Sequence, residues 1–331
     1  MNALQADQGV GLAQPGSIPA EASPDRQRSA LSGLLLLWGL AVVLALAGLG
    51  EVALRDWDEG IVAGVALDAS GTDWPQRLLP TYWGDPYLNK PPGIHLTIAA
   101  LIATWRRLGG AGPAAVPPEW VVRLAPALLS SAVVPLVGML QLRLRPHDRL
   151  AALASASITL TLLPVARHGR MAMLDGTQLS AMVLLWWAVL TPAPGARRAG
   201  VLAGLAGSAL LLLKAPVAIP MLLVALLLRA LDRELSLRTW GRLLGGIALG
   251  LIPGVAWHGW HLLNRGQAAL LMWTGQGFAR VTASLGGHDG GPIPPCARCW
   301  WADGPGCCSG PSPSPWPGVS ATARPGAGVW L

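Results

Sequence analysis

Residues 199–228 read AGVLAGLAGSALLLLKAPVAIPMLLVALLL, thirty positions in which Lys214 carries the sole charge. A helix crosses a bilayer with ~20 apolar residues, so thirty exceed one crossing. Divided at Lys214 they predict a hairpin of two short spans, with the lysine at its outer face. Similar apolar runs fill residues 30–50, 121–142, 150–165, 177–190 and 243–260. The chain is 52% hydrophobic and only 12% charged over 331 residues, too apolar for a soluble domain of that length. The fold class predicted is all-α, a polytopic transmembrane helical bundle with a long first external loop carrying short surface helices.

The formal charge of +7 comes almost wholly from arginine. Short arginine-bearing loops set membrane orientation. Clusters pairing basic residues with stacking aromatics are missing, which argues against a nucleic-acid partner. Residues 1–28 read as a disordered cytoplasmic tail, and Arg26 and Arg28 precede the first apolar run. That pattern predicts an uncleaved signal anchor with its N-terminus in the cytoplasm. The loop at 51–92 has seven acids against three bases, which places it outside. Residues 93–105 are apolar but short. If they made a net crossing, later arginines would fall mostly outside, so they are read as non-crossing.

The two lysines, Lys90 and Lys214, both lie within two residues of a proline at a predicted membrane edge. The two tyrosines, Tyr82 and Tyr87, lie beside the first. A compact ammonium suits a phosphate, and it equally suits a snorkelling interfacial residue. Asp58 and Glu59 stand together in the external loop. Carboxylates at a membrane edge are costly without purpose, although either also suits a helix cap. Asp175 follows Arg167 and Arg170 at an outer turn, where a structural ion pair and acceptor binding are both open. His258 and His261 are three residues apart with no carboxylate or cysteine nearby, which suits membrane-edge histidines better than a metal site. His95 follows Lys90-Pro91-Pro92 closely and is a candidate cavity-lining residue.

Asp58-Glu59 and Tyr87-x-x-Lys90-Pro91-Pro92 resemble the GT-C glycosyltransferases of the protein O-mannosyltransferase and lipid A aminoarabinose transferase type. Arg123-Leu124-Ala125-Pro126, Ala166-Arg167 with Leu174-Asp175, Lys214-Ala215-Pro216 and Arg280 continue that resemblance in order. It implies a donor sugar on a polyprenyl phosphate, an acceptor that is a lipid, glycan or protein, and a bacterial inner-membrane location with transfer on the outer side. It assigns catalysis to Asp58 and Glu59, and substrate binding to Tyr87, Lys90, Asp175, Lys214 and Arg280. A carboxylate would take the proton of a hydroxyl acceptor, and Asp58 is the candidate. Cations would meet the charge developing on the leaving phosphate. Where the family has an acid that binds metal in some members, this chain has Asn89. An amide is a poor transition-metal ligand, so no metal or other cofactor is expected. Ala215 stands where the family has glycine, and the tyrosine usual soon after Asp-Glu is missing.

All four cysteines, Cys296, Cys299, Cys307 and Cys308, fall in the Pro- and Trp-rich segment 293–331. Their spacing makes no zinc ligand set. Reading each codon from its third base turns Cys299-Trp300 into Leu, Trp300-Trp301 into Val and Trp301-Ala302 into Gly, an apolar string like the helix that follows in this family. The expectation is an out-of-frame tail from about residue 293, with residues 29–292 as the transferase core. A transporter or channel, or an inactive truncated remnant of the transferase, are the rival readings.

Overall fold

The computed structural model describes residues 24–55, 58–110, 112, 114–191, 195–231 and 235–274. Arg280 and the whole Cys-rich segment, with the reading-frame expectation attached to it, lie outside the described residues. Helix α1 spans Pro24–Leu46. The long loop that follows carries α2 (Asp58–Gly71), a 3-10 turn (Gln76–Leu78), and the two-residue strands β1 (Thr81–Tyr82) and β2 (Asp85–Pro86). Then come α3 (Gly93–Gly109), α4 (Glu119–Ser131), α5 (Val133–Leu144), α6 (Arg149–Thr161) and α7 (Leu163–His168). The chain continues through α8 (Asp175–Val189), α9 (Ala196–Leu231), α10 (Leu237–Arg265) and α11 (Leu271–Trp273).

Three helical stretches are long and apolar enough to cross a membrane: Glu119–Leu144, Ala196–Leu231 and Leu237–Trp273. The first joins α4 to α5. Pro135 has no N–H for the Ser131 carbonyl, which is why the helix relaxes between them. Leucines and valines such as Leu36, Val43, Leu227 and Val255 point outward on α1, α9 and α10, the surface a lipid-facing helix presents. The expected span at 150–165 is instead divided. Pro164 lacks the N–H that would continue α6, so α6 ends at Thr161, Leu162 turns extended, and α7 begins anew.

Lys214 breaks α9, with φ −153° and ψ 82°. Gly200 packs on Gly246, Gly204 on Gly250 and Ser208 on Gly254, so the first half of α9 runs parallel to α10. A straight α9 would put Leu231 about 47 Å from Gly200, farther than the five-residue link and the first turns of α10 can return. The helix therefore doubles back at Lys214. Two contacts with α8 agree with this. Leu185 meets Gly207, and the Trp186 indole donates to the Met221 carbonyl at 3.0 Å, seven residues either side of the break.

α2 and α3 lie against each other at one end of the bundle. Ile94, Ile98 and Ile102 pack in one buried cluster with Val62, Ala66 and the first turn of α4. Arg106, in the last turn of α3, donates to the Ala115 carbonyl and to Ser70 at the end of α2. Ala115 is only four residues from the start of α4, so the end of α3 is fastened both to the end of α2 and to the segment leading into α4. The hairpin turn has positive φ at Trp83 (55°) and Gly84 (83°), as a two-residue primed turn requires. Asp68 of α2 ties it down, accepting from Thr81 Oγ1 and Gly84 N–H. The Trp257 indole donates to the Leu78 carbonyl at 2.9 Å, fastening the loop to α10.

Candidate active site

Glu59 is fully buried in the first turn of α2. Its carboxylate accepts from Arg123 Nε (2.8 Å) and Nη2 (2.7 Å), and from the backbone N–H groups of Ala172 (2.7 Å) and Arg55 (3.2 Å). Arg123 spends its other N–H groups on the carbonyls of Leu49, Val52 and Ala53. All five guanidinium donors are thus used, in the planar fork that a carboxylate matches and a lysine does not. Burial alone pushes the Glu59 pKa up. The bonds from Arg123, Ala172 and Arg55, with the Arg123 charge, outweigh it and hold the carboxyl below its ordinary range. This clamp joins the end of α1, the start of α2, α4 and the segment before α8. Asp58 opens α2, and its side chain lies outside the described residues.

Tyr87 and Lys90 are half-buried on the far side of the same loop. Burial pushes the Tyr87 phenol up to about 12, against a hydrogen bond with Asn89. Its ring meets His95 edge-on at 5.7 Å. His95 is buried in α3, with Nδ1 on the Pro91 carbonyl at 3.1 Å and Nε2 without a partner. Burial pushes its imidazole down to about 4; the Pro91 carbonyl opposes this and the Lys90 charge adds to it.

The break at Lys214 lies against this loop through Gly93. A Cβ there would sit 2.6 Å from the Leu212 carbonyl, so only glycine permits the contact. Lys214 Nζ lies 3.6 Å from Asp175 Oδ1. Asp175 opens α8 three residues after Ala172, the residue that bonds Glu59. The structure therefore gathers Glu59, Tyr87, Lys90, Asp175 and Lys214 at one end of the bundle. Below them runs an apolar groove of about 380 Å³, lined among others by Gly93, Leu129, Leu136, Ala181 and Leu212. Thr177, two residues after Asp175, also lines it, and its hydroxyl is buried without a partner.

In the sequence Arg123 stands only within a motif, with nothing to give it a role of its own. No local signal marks it, because its partners lie 64 to 74 residues away. Among the described residues no three His, Cys, Asp or Glu side chains gather as metal ligands. His258 bonds the Leu211 carbonyl at 3.2 Å, and His261 stacks on Trp257 at 4.8 Å.

Residues 101–240 match the family described as dolichyl-phosphate-mannose-protein mannosyltransferase. No curated protein matches the chain. Among solved structures, ArnT from Cupriavidus metallidurans is similar in its complex with undecaprenyl phosphate, at TM-score 0.59 and 21% identity, and in its apo state, at 0.58 and 21%. The matches cover 76% and 74% of this chain, and 45% and 44% of that protein. The chain thus spans less than half the length of the solved protein it matches. At that identity the likeness is one of fold.

Proposed function

We infer that this chain, a multi-pass membrane protein built on the GT-C glycosyltransferase fold, transfers a sugar from a polyprenyl-phosphate donor to an acceptor on the outer side of a bacterial inner membrane. The observation that supports this reading is the Lys214–Asp175 pair at the break in α9, next to an apolar groove lined by Gly93, Thr177, Leu212 and Leu213. A charged headgroup site above a greasy channel is what an isoprenoid phosphate needs, and the solved fold relative was crystallised with such a lipid.

In this reading the isoprenoid lies in the groove and its phosphate meets Lys90 and Lys214, with Arg280 as a third cation. As the sugar's anomeric carbon leaves the phosphate oxygen, these cations stabilise the negative charge that builds there. Asp175 holds Lys214 in place through the 3.6 Å pair. Asp58 takes the proton of a hydroxyl acceptor as its oxygen attacks, worth roughly 10²–10⁴-fold. Where the acceptor is itself a phosphate, Asp58 orients the sugar instead. Glu59 belongs to the framework, because four N–H donors already occupy its carboxylate. A transporter would set its ionisable groups near the bilayer midplane; here they gather at one end.

The test is undecaprenyl phosphate binding to the purified full chain in detergent. Lys90→Gln and Lys214→Gln are each expected to weaken it about ten-fold, the scale of a lost charged hydrogen bond. Absence of binding, or variants that bind like the parent, would remove this reading.

A further inference from the structure

Lys90 is joined to α3 through two consecutive prolines, Pro91 and Pro92. Most torsions of that link are already fixed. The proline rings lock φ at about −65°, and Pro92 has −82°. Pro92 also has a helical ψ of −3°, and its carbonyl accepts the Leu96 N–H at 2.8 Å. Lys90 and Pro91 each precede a proline, which confines ψ to an extended range of about 40°. Within that range the Pro91 carbonyl is free to swing. It meets His95 Nδ1 at 3.1 Å. A carbonyl only accepts, so Nδ1 carries the proton and Nε2 presents a lone pair. The imidazole thus removes the freedom that the prolines leave.

Packing alone does not call for an imidazole here. His95 is 1% exposed, and its Nε2 lies buried without a partner, which costs free energy. A phenyl ring would fill the same space against Tyr87 without that cost. What the imidazole adds is the Nδ1–H. The other side of the turn rests on the same residue. The Tyr87 ring meets His95 edge-on, its phenol is hydrogen-bonded with Asn89, and its N–H donates to the Pro80 carbonyl at 2.9 Å. Lys90 therefore sits between two segments that His95 holds. Beyond them, Gly93 against the Leu212 carbonyl carries the connection to the break at Lys214.

From this arrangement we propose that His95 is a positioning residue, whose Nδ1–H, through the Pro91 carbonyl, holds the Lys90 ammonium in a fixed place relative to Lys214. This rests on the reading of Lys90 as a ligand of the donor phosphate. A cation that is already placed loses little freedom when the anion arrives, and binding is tighter for it. His95 touches neither donor nor acceptor and acts through the lysine.

Two substitutions separate the hydrogen bond from the packing, in the detergent-solubilised full chain. Asparagine puts its amide nitrogen where Nδ1 stands but lacks the ring; phenylalanine keeps the ring and lacks the donor. His95→Phe should weaken undecaprenyl phosphate binding about five-fold, the scale of one neutral hydrogen bond, although it unfolds no earlier than the parent at neutral pH. His95→Asn should bind like the parent although the void it leaves lowers its stability. A merely structural role gives the reverse order in binding and overturns the proposal. In a Lys90→Gln background His95→Phe should add no further loss, because its effect runs through the lysine. A full additional loss there would also overturn it. Hydrogen exchange without ligand tests the brace by itself. The amides of Leu88, Asn89 and Lys90 should exchange about five-fold faster in His95→Phe and at the parent rate in His95→Asn. Unchanged exchange in His95→Phe rejects the proposal. If the parent does not bind undecaprenyl phosphate, the donor-site reading falls while exchange still decides the role of His95, so the two fail separately.

Discussion

Glu59 and Arg123 show how much a single buried pair can organise. Removing one partner leaves the other charge buried and unpaired, which costs ~3–5 kcal/mol. Arg123→Ala should therefore lower thermal stability strongly, and the double variant Glu59→Leu/Arg123→Met should recover only the part due to the unpaired charge, because the backbone groups of Leu49, Val52, Ala53, Arg55 and Ala172 still lose their partners, as read by unfolding in detergent. His95 makes a pH prediction. Its folded value is about 4, below the ordinary 6.5, so the unfolded chain binds the proton more readily. The stability it contributes is fully present above about pH 6.5 and is lost as pH falls toward about 4, by roughly 3 kcal/mol in all. His95→Phe keeps a ring against Tyr87 and should flatten that part of the stability profile. At this scale the sequence disclosed residue types but not their neighbours. Lys90, Lys214 and Asp58 drew attention by scarcity or by motif. Arg123 did not beyond its motif, since an arginine near a membrane edge reads the same whether it faces lipid or a buried carboxylate.

Among the elements, α9 and α10 depend on bare backbone. A Cβ at Gly204 would meet the Ile247 carbonyl at 2.3 Å, and one at Gly250 the Val201 carbonyl at 2.3 Å. Small residues four apart let membrane helices approach this closely. Gly250→Ala should destabilise the bundle by about 1–3 kcal/mol. Gly245→Ala, in the same helix with nothing within 4 Å, should be neutral or stabilise by up to ~1 kcal/mol through helix propensity. Thermal unfolding of the two variants side by side checks both. The doubling back at Lys214 was legible in residues 199–228 because thirty apolar residues and one lysine leave few alternatives. The division of α6 from α7 was not read, although Pro164 was there to signal it, because hydropathy averages over a proline that hydrogen bonding cannot ignore. The short β1–β2 hairpin was equally hidden, since Trp83-Gly84 is an unusual primed turn.

For the whole molecule, Glu59, Lys90, Asp175 and Lys214 mark one face, and Arg143, with its guanidinium 4.8 Å from the Trp187 ring, lies toward the other. An impermeant thiol reagent should label Gly84→Cys from outside and His147→Cys only from the cytoplasmic side, in a background with the native cysteines replaced. Labelling of both from one side would reject this orientation. The doubled-back helix carries one more implication. Each half has only fourteen or fifteen apolar residues, about 21 Å of helix against a hydrocarbon layer of about 30 Å. Lipid beside it must compress to cover the short apolar flank, at a modest cost for each ångström of mismatch. The headgroup plane accordingly dips around Lys214, and any phosphate carried in that leaflet is lowered toward the lysine by the shape of the bilayer itself. In vesicles of stepped acyl length, stability should peak with the thinner lipids and decline steadily as the chains lengthen.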